Sequence, residues 1–463
     1  MPKLKLPGWN GLILAMMYED SLPGSHWRGY LDILPRTLNT PVFWTPAQLA
    51  NLEGSSIVDH IGAKQIKSDY EKVIRPLLSN PLLYSVPSSE IARVRDQFFS
   101  FEQYRRFGSL IMAYSFTDDE GKVSMVPMAD MLNHKTGFNN ARLYFDQEDD
   151  TLGATASQPN EASLEGTEPN KKPKLREPTQ DFLHMRTRRA ILHGEELYNT
   201  YGTLPDSELL RKYGYVEELG KNRWNDVDIP ASLVLSKCAA ACGWEPLEVH
   251  NRRQFIKENS LVDSKAILTF YMSQEPFGPF DPAEQEETIA GGLTRDIVAM
   301  AKIFAASPSE WREAEKAILE ARTNAEQERK KKPNRTDDDD DDDDGEFESD
   351  DGEESNDDEE EEKKKDGEHG EDKPARKSGG DLIPLADKAK LASLLQAVFQ
   401  ARKDQYGTEG RIASFLEQLS RLPVPGSSAS NDDSLRTRAA LIAKVGELQI
   451  LDSLIADAQK MSE

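Results

Sequence analysis

The sequence predicts an α+β chain with a helical opening, a β-rich middle and an all-helical C-terminal unit. Three observations carry that expectation. Apolar residues recur at three- and four-residue spacing over 8–20 and 88–116, the period of a helix face. From Val123 the texture changes to short apolar segments and turns: MVPMADMLNH, ARLYFD, FLHMRTRRAIL and EELYNTY read as strands or strand ends. After Trp224 the helical spacing returns and persists almost to the C-terminus.

Between the two opening helices, WRGYLDILP, PVFWTPAQLANL and the run through Ile66, Tyr70, Val73 and Leu77 predict short helices broken by prolines. Residues 149–179 are rich in Gly, Ser, Pro, Glu and Lys without any period, which predicts a disordered surface insertion. Helices are then predicted at ASLVLSKCAAACG, EVHNRRQFIKEN, LTRDIVAMAKIFAA and SEWREAEKAILEARTNAEQERKKK. They resume at LADKAKLASLLQAVFQARKDQYG and SLRTRAALIAKVGELQILDSLIADAQK. The expected division is 1–222 and 223–463, with a disordered acidic tract at about 333–380 looped out of the second unit.

Composition suits a soluble chain with two folded units: 463 residues, 37% hydrophobic and 30% charged. The formal charge of −25 is local. Residues 337–372 hold 24 Asp/Glu and 3 Lys, a net of −21, so the remainder carries only −4. The tract repels itself and buries nothing; it is a solvating loop or an attractor of a basic substrate. The two cysteines, Cys238 and Cys242, lie four apart in an Ala-rich run. They are too few for a structural zinc site and read as buried residues in a reducing compartment. No apolar run reaches the ~18 residues of a membrane span. The apolar opening lacks a small-residue cleavage site and reads as a core helix, so an intracellular protein is expected. KKPKLR at 171–176 and RKKKPNR at 329–335 resemble nuclear localisation signals, so the nucleus is the expected residence.

The chemistry-bearing region runs from Val126 to Glu217. PMADMLNH is followed by Asn139 and Asn140, then by RRAILHGEELYNTYGTLPDSELLRKYGYVEE. Each piece alone is weak, since an Asn-His pair is more often a satisfied turn and a Tyr-rich run more often core. Their combination resembles the SET-domain protein-lysine methyltransferases. The branch is that of Rubisco large-subunit methyltransferase, nearest to the groups of SET-domain-containing protein six and fungal ribosomal lysine N-methyltransferase four. WRGYLDILPRTLNTPVFWTPAQLANLEGS resembles the helical insert of that branch, here about 8–116, and the C-terminal unit its helical substrate-binding domain.

The resemblance implies an S-adenosylmethionine-dependent protein-lysine N-methyltransferase acting on a ribosomal or other basic nuclear protein. It implies that Asn133 and His134 contact the cofactor, with Tyr213 and Tyr114 as further cofactor contacts. Tyr201 matches the active-site tyrosine at the methyl-transfer point. Asn199, Thr117 and Trp9 match positions that face the substrate. No metal, no direct nucleic-acid contact and no membrane contact are expected, and a monomer is. The Gly-x-Gly segment that opens the family's domain has no counterpart here. A start assigned too far downstream is favoured over a degenerate or alternative product, and the expected consequence is that the chain as written binds the cofactor poorly or not at all. Two other readings stay open: a cofactor-deficient module that only binds basic proteins, and an acidic chaperone of histones or ribosomal proteins.

Overall fold

The computed structural model describes residues 6–117, 121–145, 183–258, 267–271, 295–307, 387–407 and 411–462, with scattered positions between 309 and 320. The 149–179 insertion, the acidic tract and both basic clusters lie outside the described residues.

Helix α1 (Asn10–Ser21) buries Ile13, Leu14, Met16 and Met17, and packs against the later helix α7 (Phe101–Tyr114). Short helices fill the space between: α2 (Arg28–Ile33), α3 (Pro46–Leu49), α4 (Ile57–His60) and α5 (Ala63–Asp69). Prolines start or interrupt several of these turns, because a ring without an N–H is tolerated in a first turn and not beyond it. The predicted helix over 88–116 is two helices, α6 (Ile91–Phe98) and α7. Phe99 is fully buried at the joint, and the Ser100 hydroxyl accepts the Gln103 N–H at 3.4 Å to cap the second. Periodicity alone could not see that cap.

The β-rich middle consists of small two-stranded ribbons. β1 (Ser115–Thr117) pairs antiparallel with β2 (Val123–Met125). β3 (Asn133–His134) pairs parallel with β6 (Tyr198–Asn199), in the register Asn133–Tyr198 and His134–Asn199. β4 (Ala141–Phe145) pairs antiparallel with β5 (Leu183–Thr187). Helix α8 (Asp206–Tyr213) follows β6 directly.

The expectation of an all-helical second unit needs one amendment. β7 (Asp226–Pro230) pairs antiparallel with β8 (Ile267–Tyr271), joining Val227 to Phe270 and Ile229 to Leu268 inside the core. ILTFY alternates buried and exposed positions, a period-two signal obscured by the helical runs on both sides. Around this ribbon pack α9 (Ala231–Cys242), α10 (Pro246–Glu258), α11 (Arg295–Ala305), α12 (Lys388–Asp404), α13 (Ile412–Arg421) and the long α14 (Asp432–Lys460). Helix α13 was not anticipated. Cys238 is fully buried, and burial pushes its thiol up to about 12, while the Cys242 thiol donates to the Phe304 carbonyl at 2.9 Å. Both behave as packing groups.

A buried polar node ties α12 and α14 to the loop before α4. Arg402 donates through Nε to the Asp228 carbonyl (2.8 Å), through Nη1 to the Gly54 carbonyl (2.7 Å) and through Nη2 to Ser56 Oγ (3.2 Å). Glu447 accepts the Ser55 hydroxyl (2.7 Å), the Ser56 N–H (3.2 Å) and the Tyr406 hydroxyl. Gly54 has φ +88°, and a Cβ there would lie 2.6 Å from Tyr406 Cα, so only glycine lets the loop approach so closely.

Nearby, burial first, and then the Asp228, Glu447 and Glu208 carboxylates, push Asp226 up to about 8. Between pH ~4 and that value the native chain holds a proton that the unfolded chain releases, so stability falls as pH rises through this window. Asp226→Asn should therefore stabilise by about 1–3 kcal/mol at pH 8 and hardly at all at pH 4. Urea unfolding at the two pH values checks it; an equal effect at both would contradict the account.

Candidate active site

The site is built where the chain crosses itself. A tight turn over Ala129–Met131 leads into β3, and β6 lies parallel beside it although the two are 65 residues apart. Two-residue strands cannot hold such a crossing by themselves, and Asn140 supplies the missing bonds. Its N–H donates to the Tyr198 carbonyl (3.0 Å) and its side-chain oxygen accepts the Tyr198 N–H (2.8 Å). Its amide nitrogen donates to the Glu196 carbonyl (2.9 Å). Asn140 is 1% exposed, and a short side chain with both donor and acceptor is what this position requires.

The crossing brings His134 and Tyr201 together. The Tyr201 N–H donates to His134 Nδ1 at 3.1 Å, which fixes the neutral imidazole with its proton on Nε2, beside Thr136 Oγ1 at 3.3 Å. Burial holds the imidazole below its ordinary range, so it is neutral at pH 7. The Tyr201 ring stacks on His134 at 5.2 Å and on Tyr213 at 4.4 Å, with interplanar angles of 20° and 23°. Its hydroxyl donates to the Leu132 carbonyl at 2.9 Å. Tyr215 meets Tyr213 edge-on at 6.5 Å, and its hydroxyl is enclosed without a hydrogen-bond partner.

The local sequence explains how Tyr213 is placed. It is the last residue of α8, and Gly214 closes that helix at φ +79°. A Cβ on Gly214 would stand 2.8 Å from the Asn39 carbonyl carbon, and the Asn39 amide donates to the Gly214 carbonyl at 3.0 Å. The N-terminal end of α8 is held by buried Asp206, which accepts from the Glu217 N–H and from the Asn222 and Asn225 amides; burial pushes its carboxyl up to about 6.

Burial raises every phenol of this group: Tyr201, Tyr215 and Tyr114 move up, and Tyr213 reaches about 12. They stay protonated across the physiological range. Asp130, in the turn before β3, is 5% exposed and accepts the Tyr30 hydroxyl at Oδ2. Burial raises its carboxyl, opposed by that bond and by the N–H groups of Asp130 and Met128. Met128 is the one non-glycine residue with positive φ among the described residues, at +79°.

The structure thus brings His134, Tyr201 and Tyr213 into one stack, with Tyr114 within electrostatic reach of Asp130. Asn199 sits beside His134 in the strand pair with its side chain 4% exposed. Asn133 is on the exposed side, its amide donating to Glu196 Oε1 at 2.7 Å. Trp9 and Thr117 have no hydrogen bond or ring contact to the stack among the described residues. Thr117 ends β1, exposed opposite Val123. Trp9 is 41% exposed at the start of α1, lining a cavity of about 420 Å³ with Asp69, Tyr104 and Met112. Asp130, Tyr30 and Tyr215 were not singled out from sequence. The visible signal was a lone acid between the apolar residues of MADML.

A cluster of phenols suits a cation better than an anion, and no lysine or arginine is ion-paired to Asp130 among the described residues. No group of acids, histidines or cysteines able to hold a metal occurs among the described residues, and no helix there is long and apolar enough to cross a membrane.

No protein-family model matches the chain. It is 28% identical over 309 residues to N-lysine methyltransferase setd6 of Salmo salar, covering 59% of this chain and 59% of that protein. It is also 28% identical over 235 residues to ribosomal lysine N-methyltransferase 4 of Saccharomyces cerevisiae, covering 45% of this chain and 39% of that one. Its fold is similar to the SET domain of LSMT bound to MeLysine and AdoHcy, with TM-score 0.55, 14% identity and coverage of 99% of this chain and 76% of that one. Rubisco LSMT bound to AdoMet matches with TM-score 0.53. The chain spans 59% and 53% of the length of the salmon relative and its Danio rerio counterpart.

Proposed function

We propose that this chain, which has the SET fold and resembles lysine N-methyltransferases in sequence, is an S-adenosylmethionine-dependent protein-lysine N-methyltransferase acting on a ribosomal or other basic protein. The observation that carries the reading is the His134–Tyr201–Tyr213 stack at the β3–β6 crossing. Tyr215, edge-on to Tyr213, has an enclosed hydroxyl with no hydrogen-bond partner. Orphaned buried oxygens are rare unless a ligand meets them. Phenol faces with an unmet oxygen among them suit a cationic sulfonium donor. When bound, that cofactor supplies the electrophilic methyl group.

The chain's own task is to present a neutral amine in line with that methyl. Removing the proton of a free lysine at pH 7 costs about 4.6 kcal/mol. Apolar and aromatic walls lower this cost by desolvating the ammonium. Fixing the two reactants in line contributes roughly 7–11 kcal/mol, which exceeds it. A strong general base is therefore unnecessary, and none of the phenols can act as one while protonated. The Tyr201 hydroxyl donates a hydrogen bond to the Leu132 carbonyl, which leaves the oxygen lone pairs to accept from and orient the amine. His134 holds the Tyr201 backbone in place.

The reading is tested by incubating the protein, extended by the residues encoded upstream of Met1, with S-adenosylmethionine radiolabelled in the methyl group and arrays of ribosomal proteins and histones. Label that survives on lysine after hydrolysis is the expected result. No transfer to any basic protein would refute it.

A further inference from the structure

We propose that Asn39 is a positioning residue for the aromatic stack: it fixes the end of α8, and with it the Tyr213 ring, and ties that end to Arg436 of the C-terminal helical unit. The inference rests on the function proposed above and deepens it.

Tyr213 closes α8, where a helix has run out of partners for its own backbone. A ring at such a position is no better fixed than the turn that follows it. That turn is Gly214, and it lies between two phenols of the site. Tyr213, before it, stacks on Tyr201 at 4.4 Å, and Tyr215, after it, meets Tyr213 edge-on at 6.5 Å. The Gly214 N–H is met from inside the helix, by the Leu209 and Leu210 carbonyls at 3.1 and 3.0 Å. Its carbonyl is met from outside, by the Asn39 amide at 3.0 Å. The approach is so close that a Cβ on residue 214 would stand 2.8 Å from the Asn39 carbonyl carbon. Asn39 thus sets the plane of the peptide that leads from one ring to the other.

Asn39 is itself held. Its backbone carbonyl accepts the Trp44 indole N–H at 2.9 Å, and its side-chain oxygen accepts from Arg436 Nε at 2.8 Å. Arg436 lies early in α14 and also donates to Gln48 Oε1 at 2.8 Å, with its guanidinium 6.0 Å from the Trp44 ring centre. Helix α14 therefore reaches the end of α8 through two consecutive side-chain hydrogen bonds. A carboxamide suits this relay because it donates on one side and accepts on the other, whereas a carboxylate of the same size only accepts. The body of α8 does not depend on the relay. Leu210 is fully buried in one apolar cluster with Trp44, Ala439 and Ala440, and that cluster holds the helix whatever occupies position 39. What the relay governs is the orientation of the last residue.

Asn39→Asp separates orientation from stability. A carboxylate keeps and strengthens the bond from Arg436, but it has no N–H for the Gly214 carbonyl and repels it. In the chain labelled with meta-fluorotyrosine, the Tyr213 resonance is assigned by its loss in Tyr213→Phe. It should shift in Asn39→Asp while the urea midpoint holds or rises. In the upstream-extended protein the same substitution should lower kcat about tenfold, since small misplacements in a reacting geometry are costly in rate. Asn39→Ala, which removes both arms, should shift the resonance as well, and Arg436→Ala should shift it by a smaller amount. An unmoved resonance in both Asn39 variants, or a rate that falls only with the folded fraction, would overturn the proposal. An unmoved resonance in Arg436→Ala alone would overturn the tie to the C-terminal unit. A shifted resonance in a protein that transfers no methyl group even as wild type would remove the methyltransferase reading and leave the placement of Tyr213 standing.

Discussion

Arg402→Ala should lower the unfolding free energy by about 3–5 kcal/mol, the range observed when one member of a buried charged cluster is removed. The guanidinium is 3% exposed and bonds to Asp228, Gly54 and Ser56, which belong to two different stretches of chain. Alanine strands two backbone carbonyls and removes the positive charge that favours the ionised form of buried Glu447. Arg402→Lys should recover only part of the loss, because one ammonium cannot span acceptors aimed at three edges of a planar fork. Urea unfolding measures both. A shift of the midpoint with an unchanged slope is the expected signature, and a change below about 1 kcal/mol would mean the node is not structural.

On the function proposed above, Tyr201→Phe should reduce the methyl-transfer rate of the upstream-extended protein about 100-fold with little effect on stability. The ring stays between His134 and Tyr213, so packing survives. What is lost is the oxygen that fixes the amine, and a displacement near 1 Å in a reacting geometry is enough for a loss of that size. Since the phenol remains protonated, the loss should be the same from pH 7 to pH 9; a deficit that grows with pH would assign the hydroxyl to proton removal. Undiminished transfer would take Tyr201 out of the chemistry altogether.

Much of this arrangement could be read from residue order, for identifiable reasons. Helix α1 declared itself through a three- and four-residue apolar period, and the Asn-His and Asn-Thr-Tyr-Gly segments through co-occurrence at long separation. The meeting of His134 with Tyr201 followed from that resemblance. Other features depend on contacts that a one-dimensional pattern does not carry. The break at Phe99 rests on a cap, β8 on a distant partner strand, and the role of Asn140 on bonds to Glu196 and Tyr198, more than 50 positions away. Asp130 was masked by its neighbours. An acid amid methionine and leucine reads as a turn residue until its surroundings show that it is enclosed.

The parallel β3–β6 crossing has a temporal consequence. Its two halves enter the chain 65 residues apart, and the ring that completes the stack arrives only with Tyr213. Contacts of such long range form after local helices, because loop-closure entropy must be met before they stabilise anything. A ribosome-bound fragment ending before residue 213 can therefore hold folded helices from its opening third and still lack the His134–Tyr201–Tyr213 stack.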